Sequence, residues 1–211
     1  AELAFCHLLN ISRNFKLAVD SVRNGNWSTK GLIGFELNGK TIGIIGYGSV
    51  GNLMSKYCQA FGMKVITYDP YKIVSDPEVT QVLKIEDLLK NSDVISIHAK
   101  KNNLNHHFIN KNSFNLMKPN CIFINTSRGG LVDEKAMLKA LENSKIFAAG
   151  IDVLEGELSN PDSSMIDINK LEELSQNYKN LFITPHLGGS TIEGRSKRSE
   201  FTSKLMLDWA K

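Results

Sequence analysis

Cysteine is scarce in this chain, with three in 211 residues, Cys6, Cys58 and Cys121, odd in number and far apart. They form no C-x-x-C pair and have apolar neighbours. They offer no disulfide framework or metal site, and read as reduced core thiols of a cytoplasmic protein. Long apolar runs are also missing. No stretch approaches the ~18 consecutive apolar residues of a membrane span, so no membrane partner is expected. No signal peptide is visible. The chain begins Ala1-Glu2-Leu3, without Met and already in helical pattern, and reads as cut from a longer protein. Charge of one sign is lacking too. A net charge of +3 is too small to point to nucleic acid, and the longest basic run, Lys100-Lys101, reads as a solvated loop.

What is present is the composition of an ordinary globular protein, 42% hydrophobic and 22% charged. The length suits one large α/β domain, or a domain with a fragment of another. Ala4, Leu8, Ile11, Phe15, Ala18 and Val22 repeat at helical spacing over residues 1–23, and Asn24-Gly25 is a helix stop. Short apolar runs follow at Thr41–Ile45, Val65–Tyr68, Val94–Ile97, Cys121–Ile124, Phe147–Ile151 and Leu181–Thr184. Helix-like stretches lie between them at Val50–Phe61, Ile85–Lys90, Lys111–Met117, Glu134–Glu142 and Ile166–Ser175. Strands that alternate with helices predict a mostly parallel sheet of six or more strands, covered on both faces. Residues 155–165 read as a polar loop. Ser190-Thr191-Ile192-Glu193 reads as a capping box that opens a last helix, with Phe201, Leu205 and Trp209 on one face.

The first strand ends in Gly46-Tyr47-Gly48-Ser49-Val50-Gly51, a G-x-G-x-x-G. Alone the string is weak, because a plain strand-turn-helix can use glycines. Here it follows a strand and opens a helix whose apolar positions are Val50, Leu53, Met54, Tyr57, Cys58 and Phe61. Gly46 permits the tight turn, Gly48 lets a pyrophosphate approach the backbone, and Gly51 lets the helix pack on the strand. The helix N-terminus then faces the phosphates. Asp69 ends the second strand, 18 residues beyond Gly51, where a carboxylate accepts from both ribose hydroxyls and repels a 2′-phosphate. Pro70 and Tyr71 follow it and no Arg does. The cofactor expected is NAD rather than NADP.

Three later segments put polar residues at strand ends: Asn125-Thr126-Ser127-Arg128-Gly129-Gly130, Asp152-Val153-Leu154-Glu155-Gly156-Glu157 and Pro185-His186-Leu187-Gly188-Gly189-Ser190-Thr191. With the glycine turn and its entry Asn38-Gly39-Lys40-Thr41, these ordered motifs resemble the D-isomer-specific 2-hydroxyacid dehydrogenases over nearly the whole chain. The Gly-Gly-Ser-Thr after His186 is most similar to the 3-phosphoglycerate dehydrogenase branch.

The resemblance implies a doubly wound Rossmann-type domain over residues 31–190, with a linker helix and loop at 1–30. It implies a helix at 191–211 returning toward a substrate domain largely missing from this chain, and a homodimer through the dinucleotide-binding domain. It implies hydride transfer between nicotinamide and C2 of a D-2-hydroxy acid or 2-oxo acid, with 3-phosphoglycerate one candidate. Arg128 would hold the substrate carboxylate, as its planar fork suits. His186 would be the acid/base and Glu157 its partner. Glu155 competes for that last role; Glu157 is preferred because the family's Glu lies five residues beyond its strand-end Asp, here Asp152. Ser49 and Val50 would meet the pyrophosphate. Thr126, Ser127, Asp152 and the run His186, Leu187, Gly188 and Gly189 would line the nicotinamide side, with Asp152 reaching the carboxamide.

Two positions depart from the family pattern: Leu158 stands where a Pro usually follows the Glu, and His98-Ala99-Lys100 replaces His-x-Pro. His7, His106 and His107 lie outside every motif and read as structural or solvated. The rival from another class is an NAD-sensing corepressor-like protein on the same fold, which turnover would distinguish.

Overall fold

The computed structural model describes residues 1–157, 173–174 and 176–209. Most of the expected helix Ile166–Ser175 and of the loop 155–165 therefore lies outside the described residues.

Seven parallel strands form one sheet: β1 (Thr41–Ile45), β2 (Lys64–Tyr68), β3 (Val79–Gln81), β4 (Val94–Ile97), β5 (Cys121–Asn125), β6 (Ile146–Ile151) and β7 (Leu181–Ile183). Their order is β3-β2-β1-β4-β5-β6-β7. The chain thus winds outward from β1 in both directions, which opens a crevice at the carboxyl ends of β1 and β4. Side-chain alternation divides the core between the two faces of the sheet. Ile42, Ile44, Val94, Ile122 and Ile124 pack on one side with Ala4, Leu8, Met54 and Cys58. Ile45, Ile95, Ile97 and Phe123 pack on the other with Leu88, Leu89, Phe114 and Leu141. The helices that supply these partners are α1 (Glu2–Ser12) and α3 (Ser49–Ala60) on the first face, and α4 (Ile85–Asn91), α5 (Lys111–Leu116) and α6 (Glu134–Glu142) on the second. Strands buried on both sides explain the unbroken apolar runs.

Several expectations are corrected. Residues 1–23 form two helices, α1 and α2 (Phe15–Arg23), rather than one. Asn14 breaks them with a left-handed backbone, φ 51°, which Asn tolerates better than most residues. The apolar repeat runs on through the break, but α2 buries none of its residues. The short edge strand β3 was not foreseen. Its Gln81 side chain donates to the carbonyls of Asp69 and Lys72 and accepts from Val74 N–H, fixing the loop after β2. The last helix, α7 (Ile192–Trp209), is capped by Thr191, whose Oγ1 accepts from Gly194 N–H at 2.9 Å, and not by Ser190. Its Phe201, Leu205 and Trp209 are exposed.

All three cysteines are free, but only Cys58 and Cys121 are core residues; Cys6 is exposed. Burial pushes the Cys58 and Cys121 thiols up to about 12, so both stay protonated and unreactive at neutral pH. No helix among the described residues is long and apolar enough to cross a membrane.

Candidate active site

The glycine turn is built as the motif requires. Gly46 has φ +89°, and a Cβ there would sit 2.7 Å from the backbone N of Ala99. At Gly51 a Cβ would lie 2.1 Å from the Gly46 carbonyl oxygen, so the absence of a side chain lets α3 close onto β1. At Gly48 a Cβ would meet nothing within 4 Å. Gly48 is also the N-cap of α3 and gives no side-chain cap. The first-turn N–H groups of Ser49, Val50 and Gly51, which no helical carbonyl can satisfy, therefore face an open cradle. This fits a pyrophosphate.

Asp69 sits at the end of β2, beside the turn. Its Oδ2 accepts from Tyr47 N–H (2.8 Å) and its Oδ1 from Tyr71 N–H (2.9 Å). The carboxylate thus braces the glycine loop, leaving lone pairs for further donors. Lys72 Nζ donates to the Tyr47 carbonyl at 3.0 Å, tying the same loop from the other side.

The three polar segments follow β5, β6 and β7, which are neighbours in the sheet. After β5, the buried amide of Asn125 accepts from Ser127 N–H and donates to the Arg128 carbonyl. Ser127 Oγ donates to the Ala99 carbonyl. Thr126 lies between these anchored residues. Arg128 is exposed, and one guanidinium nitrogen donates to the Ser127 carbonyl. Gly129 is obligatory on packing grounds, since a Cβ would lie 2.1–2.3 Å from the backbone of Leu154 and Glu155.

Asp152, 1% exposed, is the hub of the opposite side. Its Oδ1 accepts from Thr184 Oγ1 (2.5 Å) and Leu187 N–H (2.7 Å), and its Oδ2 from Gly188 N–H (2.7 Å). Its carbonyl accepts from His186 N–H at 3.0 Å. His7 Nε2 lies 3.1 Å from Thr184 Oγ1. The single Thr184 proton goes to Asp152, so His7 must donate from Nε2, which fixes its tautomer. A line of polar contacts thus runs from α1 through Asp152 to the loop of His186, Leu187, Gly188 and Gly189.

His186 has φ +52°, a left-handed conformation in which His is enriched. Glu157 Oε2 accepts from Leu154 N–H at 3.0 Å. Its Oε1 lies 2.9 Å from His186 Nδ1, although that buried oxygen has no well-aligned hydrogen bond. Such contacts are often poorly aligned before substrate is bound. The Glu157 side chain is 10% exposed and that of His186 40%. Nδ1 on the carboxylate leaves Nε2 as the nitrogen that can serve a substrate. Glu155 turns elsewhere, to His106 and His107.

Sequence reading missed Asn125, Thr184 and His7 as organisers of this edge. For His7 a clue existed: it lies on the apolar face of α1, between Ala4 and Ile11. His98, which opens the segment that departs from His-x-Pro, bonds Ser96 Oγ at 2.9 Å.

Burial pushes His98 down to about 3. Burial also lowers His7, partly offset by the charge of Asp152. Both folded values lie below the ~6.5 of an unfolded histidine. The unfolded chain therefore takes up protons that the folded chain refuses, and stability falls with pH. It is complete above about pH 6.5 and is lost progressively toward pH 3. The melting temperature is expected to drop steadily from pH 6.5 to 4, and less steeply in His98→Gln. Equal slopes in the two proteins would show that His98 takes up its proton without unfolding.

Comparison with known proteins matches this architecture. Residues 5–188 match the family described as D-isomer specific 2-hydroxyacid dehydrogenase, NAD binding domain. The chain is 41% identical to the hydroxypyruvate reductase of Thermotoga maritima over 93% of its own length and 61% of that protein's. It is 38% identical to the glyoxylate reductase of Thermococcus litoralis, covering 100% of this chain and 63% of that one. The structure of D-lactate dehydrogenase from Aquifex aeolicus with NAD and lactic acid superposes with a TM-score of 0.87 at 32% identity, over 99% of this chain and 65% of that one. The chain thus spans somewhat under two thirds of the length of these relatives. It belongs to the D-isomer specific 2-hydroxyacid dehydrogenase family, of which it carries the NAD-binding domain.

Proposed function

We propose that the protein containing this chain moves a hydride between NAD and C2 of a D-2-hydroxy acid or the matching 2-oxo acid. The observation that carries this reading is the 2.9 Å contact of Glu157 with His186 at the carboxyl edge of the sheet, one strand from Arg128. When bound, NAD accepts or returns the hydride. Arg128, with its guanidinium exposed at the end of β5, holds the substrate carboxylate and draws electron density from the C2 oxygen. His186 Nε2 takes the hydroxyl proton during oxidation and returns it during reduction. Glu157 orients the imidazole. Thr126, Ser127, Asp152, Leu187, Gly188 and Gly189 shape the nicotinamide side, and Ser49 and Val50 meet the pyrophosphate.

Residues 31–190 form the dinucleotide-binding domain in this reading, and the flanking segments 1–30 and 191–211 connect to a substrate domain. The exposed apolar side chains on α7 support such a connection. A homodimer is supported by an apolar groove of about 630 Å³ between α1 and α3, lined by Phe5, Leu9, Phe15 and Phe61. The free cysteines suit a cytoplasmic protein. The hydroxypyruvate, glyoxylate and 3-phosphoglycerate enzymes among the chain's relatives supply the substrate panel. Turnover of the full-length protein with NADH and hydroxypyruvate or glyoxylate, or with NAD and 3-phosphoglycerate, supports the proposal. NAD binding without turnover across the panel would favour a sensor.

The cofactor choice has its own test. Calorimetry is expected to show NAD preferred over NADP, with Asp69→Ala narrowing the preference by about 10-fold or more, as removal of a like charge beside a phosphate should. The variant also loses the Tyr47 and Tyr71 contacts, at a cost of about 1–2 kcal/mol. Equal affinity of the unmodified chain for the two cofactors would defeat the assignment of Asp69.

A further inference from the structure

Three side chains outside the proposed active site converge beside Gly130, where the loop after β4 meets the turn after β6. His106 Nε2 lies 2.9 Å from Glu155 Oε1. His107 Nε2 lies 2.8 Å from both oxygens of the same carboxylate. One ligand atom from each residue falls within 4.8 Å of the other two. The two rings stack, with centroids 3.8 Å apart and planes inclined by 30°. Both histidines turn the same nitrogen to the same acid, from 49 and 48 residues away in sequence.

We propose that His106, His107 and Glu155 form a binding site for a divalent transition-metal ion of borderline softness, Zn²⁺ being the type. Two imidazoles and a carboxylate are the donor set such ions favour. With metal–ligand bonds of about 2.0–2.2 Å and angles of about 90–110°, neighbouring donor atoms stand about 2.8–3.6 Å apart. The two contacts to Glu155 need to open by a few tenths of an ångström, and the stacked rings must splay apart to aim both Nε2 atoms at one ion. The donors are also held by their backbones. His107 adopts a left-handed φ of +50° and its N–H donates to the Gly130 carbonyl. Glu155 N–H donates to Glu134 Oε1.

The three side chains remain partly exposed, at 52%, 34% and 37%, which leaves room for water to complete the coordination. An ion here would fasten the loop after β4 to the turn that carries Glu157. The site is independent of the proposed catalytic reading.

The test uses the untagged chain, stripped with a chelator, dialysed and titrated with Zn²⁺ by calorimetry and with Co²⁺ by absorption. One equivalent is expected to bind, with a Co²⁺ spectrum free of thiolate charge transfer. Glu155→Gln and His106→Ala should each weaken binding at least 10-fold, and Zn²⁺ should raise the melting temperature of the unmodified chain but not of the double variant. These residues lie near the surface, so melts and circular dichroism without metal should match and rule out misfolding. Absence of binding, binding unchanged in both variants, or a thiolate band that places the ion on Cys6 would each overturn the proposal.

Discussion

Replacing His186 by alanine in the full-length protein is expected to lower the proposed turnover about 100-fold or more, the usual worth of a positioned general acid/base. NAD affinity should change little. The nitrogen assigned to proton transfer is Nε2, and the loop itself is held by bonds from backbone N–H groups to Asp152, which the substitution leaves in place. Alanine is a poor occupant of the left-handed backbone at this position, where φ is +52°. His186→Asn provides the control, because Asn tolerates that backbone while offering no imidazole. Both variants should lose turnover alike.

The partner acids separate positioning from proximity. Glu157→Gln should cost about 10-fold, because the amide still accepts from Leu154 but no longer offers a charge to Nδ1. Glu155→Gln should leave turnover near that of the unmodified enzyme, since its carboxylate faces His106 and His107. If Glu155→Gln proved the more damaging, the pairing would be misassigned. If His186→Asn retained full turnover, proton transfer would lie elsewhere.

The parts of this fold legible in the sequence are those where a local rule and the tertiary structure agree. Val94, Ile95 and Ile97 read as a buried strand because both faces of β4 are covered, and the structure buries all three. The glycine turn was legible at Gly46 and Gly51 because each answers a separate geometric need, a left-handed backbone and a close helix approach. What was hidden depends on partners distant in sequence. Val79–Gln81 is too short to show a period, and becomes a strand only by pairing with Val65–Thr67. The helix break at Asn14 leaves the apolar repeat intact. His7 acquires a role only through Thr184, 177 residues away. Cys6 has apolar sequence neighbours but projects outward from α1, so neighbourhood along the chain misjudged its burial. At the candidate site, residue types left Glu155 and Glu157 open, and only the family resemblance, with its Glu five residues beyond the strand-end Asp, preferred Glu157. No local pattern could show that Glu155 answers instead to two histidines on another loop.

The glycine turn offers the sharpest test of cofactor placement, because two of its glycines are required for different reasons. Gly51→Ala should destabilise the domain by about 3 kcal/mol, the upper range for forced overpacking. Its methyl would lie 2.1 Å from the Gly46 carbonyl oxygen, a backbone atom that can move only if α3 shifts off β1. For a chain of this size, that corresponds to a fall of about 6–12 °C in melting temperature. NAD affinity should fall too, because the displaced helix carries the N–H groups of the cradle with it. Gly48→Ala should behave differently. A methyl there meets no protein atom within 4 Å, and the backbone conformation is open to any L-residue, so the melting temperature should stay within a degree or two. The same methyl fills the space over the first turn of α3, and NAD affinity should drop at least about 10-fold, or about 1.4 kcal/mol. Calorimetry and thermal melts on the two variants give four values, and the reading requires that stability and binding fail together at Gly51 but part company at Gly48. Unimpaired NAD binding by Gly48→Ala would mean that the dinucleotide does not cross this turn. An unchanged melt for Gly51→Ala would mean that α3 does not need to pack this closely on β1.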